Sequence, residues 1–246
     1  MENHIRIGYA SRAAAGELEE NGTEICGDTV FSCRLPDGSR AVILCDGMGH
    51  GKEAAAESRA AAGLLRRLLK QGMPSARAIK EVNRSLLQKS SQKEIYATVD
   101  LAVIGQSDRR AKFYKMGAAP SYIIRGRRIR RISQPALPVG ILPEIRLTHV
   151  SARLAAGDII VMMSDGICDS GWRCPDGWRC PDGWCSHDSA DWVKSFLDDF
   201  TAGVREGREH DLPGPRQLAA ALLARAQERN RGAEMDDATV AVILVR

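Results

Sequence analysis

No stretch of the sequence approaches the ~18 to 20 consecutive apolar residues needed to cross a bilayer, and no signal-peptide pattern precedes the first strand. A soluble, cytoplasmic chain is therefore expected from the sequence as given. A large net charge is missing too: 35 Lys and Arg stand against 31 Asp and Glu, a formal +4 that does not by itself indicate nucleic-acid binding. Seven cysteines, an odd number with some inside apolar strands, do not make a disulfide framework and fit a reducing cytosol. Cys26, Cys33 and Cys45 read as small packing residues. No linker divides the chain, so its 246 residues are expected to form one domain over 1–246, burying roughly three quarters of the unfolded surface.

What is present is a β-rich chain punctuated by helices. Thr29 to Leu35 and Arg40 to Cys45 read as strands around the turn signal Pro36-Asp37-Gly38-Ser39. The Ala- and Leu-rich stretch from Lys52 to Lys70 reads as a helix stopped at Gly72, and a second helix covers about Ala76 to Gln88. Further strands are expected at Ile95 to Ile104, Ala111 to Met116, Tyr122 to Ile124, Arg128 to Ile132, Arg146 to Val150 and Asp158 to Met163. Helices near Asp191 to Phe200 and Pro215 to Arg229 precede a last strand, Thr239 to Val245. Because the strands cluster without alternating helices, the pattern predicts an α+β sandwich and disfavours a doubly wound sheet.

Two segments stand apart. Arg125-Gly126-Arg127-Arg128-Ile129-Arg130-Arg131 is the densest basic run and reads as a solvated hairpin tip, with a docking patch for an acidic protein as the alternative. Gly171-Trp172-Arg173-Cys174-Pro175-Asp176 is repeated at once as Gly177 to Asp182 and partly as Gly183-Trp184-Cys185. Each Pro-Asp-Gly is a turn, so the 171–187 stretch reads as a tandem duplication tolerated in a surface loop. A lid over a neighbouring cleft is a second reading. A zinc clip from Cys168, Cys174, Cys180, Cys185 and His187 is a third, although the spacing departs from paired C-x-x-C patterns.

Four aspartates carry the chemistry: Cys26-Gly27-Asp28, Asp46-Gly47-Met48-Gly49-His50-Gly51, Ser164-Asp165-Gly166 and Asp236-Asp237-Ala238-Thr239. Each sits at the end of an expected strand. A hairpin centred between Asp37 and Gly38 makes paired residue numbers sum to 75, which puts Asp28 opposite Gly47 and brings Asp28 and Asp46 to one sheet edge. Asp165 ends one strand and Asp236 precedes another, so antiparallel neighbours would again place end beside start. Two carboxylates ~4 to 5 Å apart repel by ~4 kcal/mol at an effective dielectric near 20, so such a gathering calls for cations. Oxygen ligands without His or Cys favour Mg²⁺ or Mn²⁺ over zinc.

These four motifs, in this order, resemble those of the metal-dependent PPM (type 2C) protein serine/threonine phosphatases. The spacers Ile95-Tyr96-Ala97-Thr98-Val99-Asp100, Met116-Gly117-Ala118-Ala119-Pro120-Ser121 and Leu137-Pro138-Val139-Gly140-Ile141 are similar to the bacterial branch, most closely to the phosphatase domain of stage II sporulation protein E. The resemblance implies an αββα sandwich, two antiparallel sheets flanked by helices, with two Mn²⁺ or Mg²⁺ ions at one edge. Carried over by motif, Asp28 would bridge both ions, Asp46 and the Gly47 carbonyl would serve one, and Asp165 and Asp236 the other. Asp236 is preferred to Asp237 because it holds the first position of the family's Asp-Asn/Asp-x-Thr motif. The implied reaction is hydrolysis of phosphoserine or phosphothreonine by metal-activated water, with a phosphorylated anti-sigma factor antagonist in sporulation control as the expected substrate.

The chain departs from some relatives in placing Met48 where they carry a candidate general-acid His; His50 reads as a loop or helix-start residue, and water is left as the proton donor. Arg12 is the candidate for holding phosphate. Because the helix from Lys52 starts right after the Asp46 motif, a partner or a second copy docking on helices 52–88 would switch activity through metal occupancy. If the full-length protein carries an upstream membrane region, as the resembling sporulation protein does, the domain would lie at the cytoplasmic face. An inactive metal-bound scaffold and a basic nucleic-acid module on Arg125 to Arg131 are the competing classes; the intact motifs oppose the first and the lack of interleaved aromatics the second.

Overall fold

The computed structural model describes residues 5–14, 24–49, 51–89, 95–106, 108–168, 191–206, 213–230 and 236–246, with the backbone alone at 191 and 201–206. His50, the 171–187 repeat and its zinc-clip residues Cys174, Cys180, Cys185 and His187 fall outside these residues. The elements run β1 (Ile5–Arg12), β2 (Asp28–Arg34), β3 (Arg40–Asp46), α1 (Gly51–Lys70), α2 (Ser75–Lys89), β4 (Val99–Ile104), β5 (Arg110–Met116), β6 (Ser121–Arg125) and β7 (Arg128–Ile132). They continue with β8 (Val150–Arg153), β9 (Ile159–Met163), α3 (Asp165–Cys168), α4 (Asp191–Glu206), α5 (Pro215–Arg229) and β10 (Ala238–Val245). Among these residues no helix is long and apolar enough to cross a membrane.

Two five-stranded antiparallel sheets form, ordered β1-β10-β9-β6-β7 and β2-β3-β4-β5-β8. The inner strands β3, β9 and β10 are apolar on both faces because both faces are covered. Along β3, Val42 and Leu44 point between the sheets, where they meet Ile160, Ala241 and Ile243. Ala41, Ile43 and Cys45 point the other way, onto Leu65 and Leu69 of α1 and Ile79 and Val82 of α2. The outer face of the first sheet packs Val161, Met163, Val240 and Val242 against Leu197 of α4 and Leu218 and Leu222 of α5. Four layers, helices, sheet, sheet and helices, follow from this alternation, and they are the αββα arrangement expected.

The structure corrects several details. The β2–β3 ladder pairs Asp28 with Asp46, so residue numbers sum to 74 and not 75. The loop is the odd-numbered Pro36-Asp37-Gly38: Leu35 N–H donates to Ser39 O (2.8 Å), Gly38 N–H donates to Leu35 O (2.9 Å), and Gly38 takes φ 82°. Asp37 Oδ1 accepts the Ser39 N–H and Oγ–H, which also holds this carboxyl below its ordinary value. A strand expected at Arg146 to Val150 forms instead at Val150–Arg153, where Arg110 to Phe113 supply a ladder. Ile145 and Leu147 pack against the helical side without strand pairing. The strand expected from Ile95 begins at Val99, with Ala97 bridged singly to Gly47 and to Val139. β1, not anticipated, pairs along its whole length with β10. The basic run does form a hairpin tip, Arg125 facing Arg128 across Gly126 and Arg127.

Candidate metal centre at one edge of the sandwich

The four acidic motifs meet at one end of the two sheets. Asp28 opens β2 and Asp46 closes β3 directly opposite it, while Asp165 follows β9 in the other sheet and Asp236 and Asp237 precede β10. The ladder between β9 and β10 pairs Met163 with Val240, so the end of one strand lies beside the start of the other.

Hydrogen bonds tie the two sheets together here. Ser164 Oγ–H donates to Asp28 Oδ2 (2.7 Å), and the Thr239 N–H donates to Ser164 Oγ (2.8 Å). Ser164 N–H donates to Thr239 O (3.0 Å), and Thr239 Oγ1–H donates to Ser11 Oγ (3.0 Å). Asp46 is locked through its backbone, its N–H donating to Thr98 Oγ1 (3.0 Å) and its carbonyl accepting the Thr98 N–H (2.8 Å). Gly47 lies against α1 so closely that a Cβ there would stand 2.0 Å from the Ala54 carbonyl oxygen. No side chain other than hydrogen fits that contact.

The two neighbouring aspartates differ. Asp237 is buried and turned inward: its Oδ1 accepts the Ala14 N–H (2.8 Å), and its Oδ2 would lie 2.6 Å from a Cβ on Gly27. Asp236 is exposed, and its Oδ1 accepts the Asp237 N–H (2.8 Å). Arg12 ends β1 opposite Ala238, at the same edge, with its side chain exposed; Met48 is exposed beside Asp46.

Electrostatics marks this edge as unfinished. Asp28 is buried, its Oδ1 accepts no hydrogen bond, and no Lys, Arg or His among the described residues forms an ion pair with Asp28 or Asp46. Burial, countered by the Ser164 and Thr239 hydroxyls and reinforced by Asp165 and Asp237, pushes the Asp28 carboxyl up to about 7. Burial and then the charges of Asp28, Asp165, Asp236 and Asp237 push Asp46 up to about 9. Burial also raises Asp237, against the Ala14 and Gly27 amides that stabilise its charge.

The donor set is hard oxygen. Cys26 is pushed up to about 12, mainly by burial, and burial raises Cys33 and Cys45 as well, so these thiols stay protonated and pack as expected. Cys168 is buried among the apolar residues under α4 and α5. Among the described residues no three acidic, His or Cys side chains close around one point as a finished coordination shell. The partnerless Asp28 Oδ1, and the absence among the described residues of an ion pair to Asp28 or Asp46, nevertheless fit a divalent hard ion.

Some polar residues of this edge were not singled out from sequence. Ser164 and Thr239 lay inside the quoted motifs as neighbours of the acids. Asp100 and Lys115, a buried pair at 2.7 Å, could have been noticed as charges inside apolar strands. Nothing local in the sequence pairs them.

Comparison with known proteins agrees with the geometry. The family model described as stage II sporulation protein E matches residues 36–246. Stage II sporulation protein E of Bacillus subtilis is 31% identical over 247 residues, covering 99% of this chain and 27% of the relative. That of Priestia megaterium is 34% identical over 168 residues, 67% of this chain and 28% of the relative. The chain thus spans about a quarter of the curated relatives it matches. The solved PP2C phosphatase domain of the Bacillus subtilis protein, with a fragment of its regulatory domain, superposes with TM-score 0.77 at 30% identity, over 99% of this chain and 64% of that one. An S. agalactiae serine/threonine phosphatase shares the fold, with TM-score 0.70 at 15% identity over 99% of this chain and 100% of that one. With its PP2C phosphatase fold and these matches, the chain belongs to the stage II sporulation protein E family.

Proposed function

We propose that this chain is a manganese- or magnesium-dependent protein serine/threonine phosphatase that hydrolyses phosphoserine, with a phosphorylated anti-sigma factor antagonist as substrate. The observation that carries the reading is the set of buried or clustered carboxylates at Asp28, Asp46, Asp165 and Asp236 with no cation paired to Asp28 or Asp46. Relatives named as a PP2C phosphatase domain and as sporulation proteins support the reaction class and its setting.

In this reading Asp28, Asp46, the Gly47 carbonyl, Asp165 and Asp236 would hold the two ions. Bound there, the ions would supply an acidified water and neutralise phosphate charge. The chain's own residues do the rest. Ser164 and Thr239 orient the Asp28 carboxylate, Thr98 fixes the backbone of Asp46, and Asp237 holds the Ala14 amide just beyond β1. The exposure of Asp236, against the burial of Asp237 with its Oδ1 on the Ala14 N–H, supports Asp236 as the ligand.

Regulation belongs to α1 and α2. Gly47 packs on the Ala54 backbone, so a tilt of α1 moves a metal-holding residue, and a groove between the helices, lined by Arg59, Leu64, Arg67, Leu86 and Lys89, offers a partner a place to act. Manganese affinity should then change when a regulatory partner binds. Phosphate release from a phosphoserine protein, measured with and without manganese, tests the whole reading: release is expected from the parent with metal and lost in Asp28→Asn and Asp165→Asn. Release that ignores both metal and these substitutions would end it.

A further inference from the structure

The buried polar cluster of Asp100, Lys115 and Ser121 lies beside the carboxylates and has no part in the chemistry above. Asp100 is on β4, Lys115 on β5 and Ser121 at the start of β6, and all three are buried. Asp100 Oδ2 accepts from Lys115 Nζ (2.7 Å) and from Ser121 Oγ–H (2.8 Å), and Lys115 Nζ donates also to the Ala119 carbonyl (2.5 Å). β4 and β5 belong to one sheet and β6 to the other, so the cluster staples the two sheets where the chain crosses between them at Gly117 to Pro120.

That position bears on the acidic edge. Asp100 pairs with Leu44, two residues before Asp46 and on the same face of the sheet. Ser121 opens β6, which pairs with β9, the strand leading to Asp165. Asp46, Thr98, Asp100, Ser164, Asp165 and the crossover loop line one water-sized cavity, and Asp100 Oδ1 is a buried oxygen without a hydrogen-bond partner. Asp28 and Asp46 come from one sheet and Asp165 and Asp236 from the other, so the spacing of the four depends on how the sheets are held together.

We propose that Asp100, Lys115 and Ser121 are positioning residues, an inter-sheet clamp that sets the separation of the Asp28 and Asp46 carboxylates from those of Asp165 and Asp236 and thereby tunes divalent-metal affinity. The inference rests on the metal-phosphatase reading. A fully buried ion pair is a costly way to join two strands, and an apolar pair of similar volume would serve packing as well. What the apolar pair lacks is the directional hold on Ala119 and Ser121.

The test is calorimetric titration of manganese into the parent chain, Asp100→Asn/Lys115→Met and Ser121→Ala, with metal-free melting temperatures recorded for each. The double variant removes both charges together and leaves no lone buried ion. Its manganese affinity should fall about tenfold, as for other supports of metal ligands, and phosphate release should recover as manganese is raised. Ser121→Ala, which keeps the ion pair, should weaken binding about threefold through one lost hydrogen bond. A purely structural role would lower the active fraction without recovery at high metal. Folded variants with parental manganese affinity would overturn the clamp, and if the double variant does not fold, parental affinity in Ser121→Ala alone overturns it. Absence of manganese binding by the parent would instead remove the metal-phosphatase reading.

Discussion

The two ends of β9 carry acids in opposite circumstances. At its start, Asp158 is buried, but Arg125 Nε donates to its Oδ1 (2.7 Å), Arg125 Nη2 donates to its Oδ2 (2.6 Å), and the Ala155 N–H adds a third bond (2.8 Å). At its finish, Ser164 and Asp165 join Asp28 and Asp46 at an edge where hydroxyls and amides supply the hydrogen bonds and no side-chain cation pairs with Asp28 or Asp46. A fold that neutralises one buried carboxylate with its own arginine has shown how acids are satisfied for structure alone. Leaving the other end short of positive charge costs stability, and the cation proposed there would be the physical reason to keep it so. The same contrast removes Arg125 from any docking role for the basic hairpin, because its guanidinium is committed to Asp158.

The contrast can be broken from either side. The largest expected effect is on activity: Asp28→Asn or Asp165→Asn should lower manganese-dependent phosphate release by on the order of a hundredfold or more, read in a phosphoserine peptide assay. Arg125→Met should leave manganese affinity unchanged but strand Asp158, costing roughly 2 to 3 kcal/mol in denaturant unfolding. If Arg125→Met altered metal binding instead, the two ends would not be independent.

A pH series sharpens the difference. Without metal, Asp28 and Asp46 hold protons up to about 7 and about 9, against an ordinary value of 3.8. The folded state therefore binds protons that the unfolded chain has released. Their contribution to stability is fully present below 3.8 and is lost as pH rises through 7 and 9. Melting temperatures of metal-free protein should fall across that window, and Asp46→Asn should flatten the fall. Manganese competes with the same protons, so its affinity should rise over the same range. The smallest expected effect separates the neighbours: Asp237→Asn should weaken the fold modestly, by about 1 kcal/mol through its amide contacts, while Asp236→Asn should leave stability unchanged and reduce metal binding.

Much of this edge was legible in the sequence because its acids sit beside glycines at the ends of apolar runs, where strand ends and turns announce themselves. Asp28 and Asp46 were expected together, and the structure makes them direct partners. The register slipped by one because a three-residue loop with Gly38 at positive φ centres the hairpin on Asp37, a distinction set by backbone geometry and not by composition. β1 escaped notice because Ile-Arg-Ile-Gly-Tyr-Ala-Ser-Arg is half exposed and becomes a strand only through β10. Asp100, Lys115 and Ser121 were invisible for a related reason: their partnership crosses strands and sheets, and each alone looks like a stray polar residue in a buried strand. Tertiary pairing, and not local propensity, decided these points.

The most direct test of the central claim is the melting temperature of the chain as manganese is added at pH 7. Saturation at a hundred times the dissociation constant should add ~2.7 kcal/mol to the folded state in the parent and nothing comparable in Asp28→Asn. An unchanged melting temperature in the parent would contradict the claim that a divalent cation completes this edge.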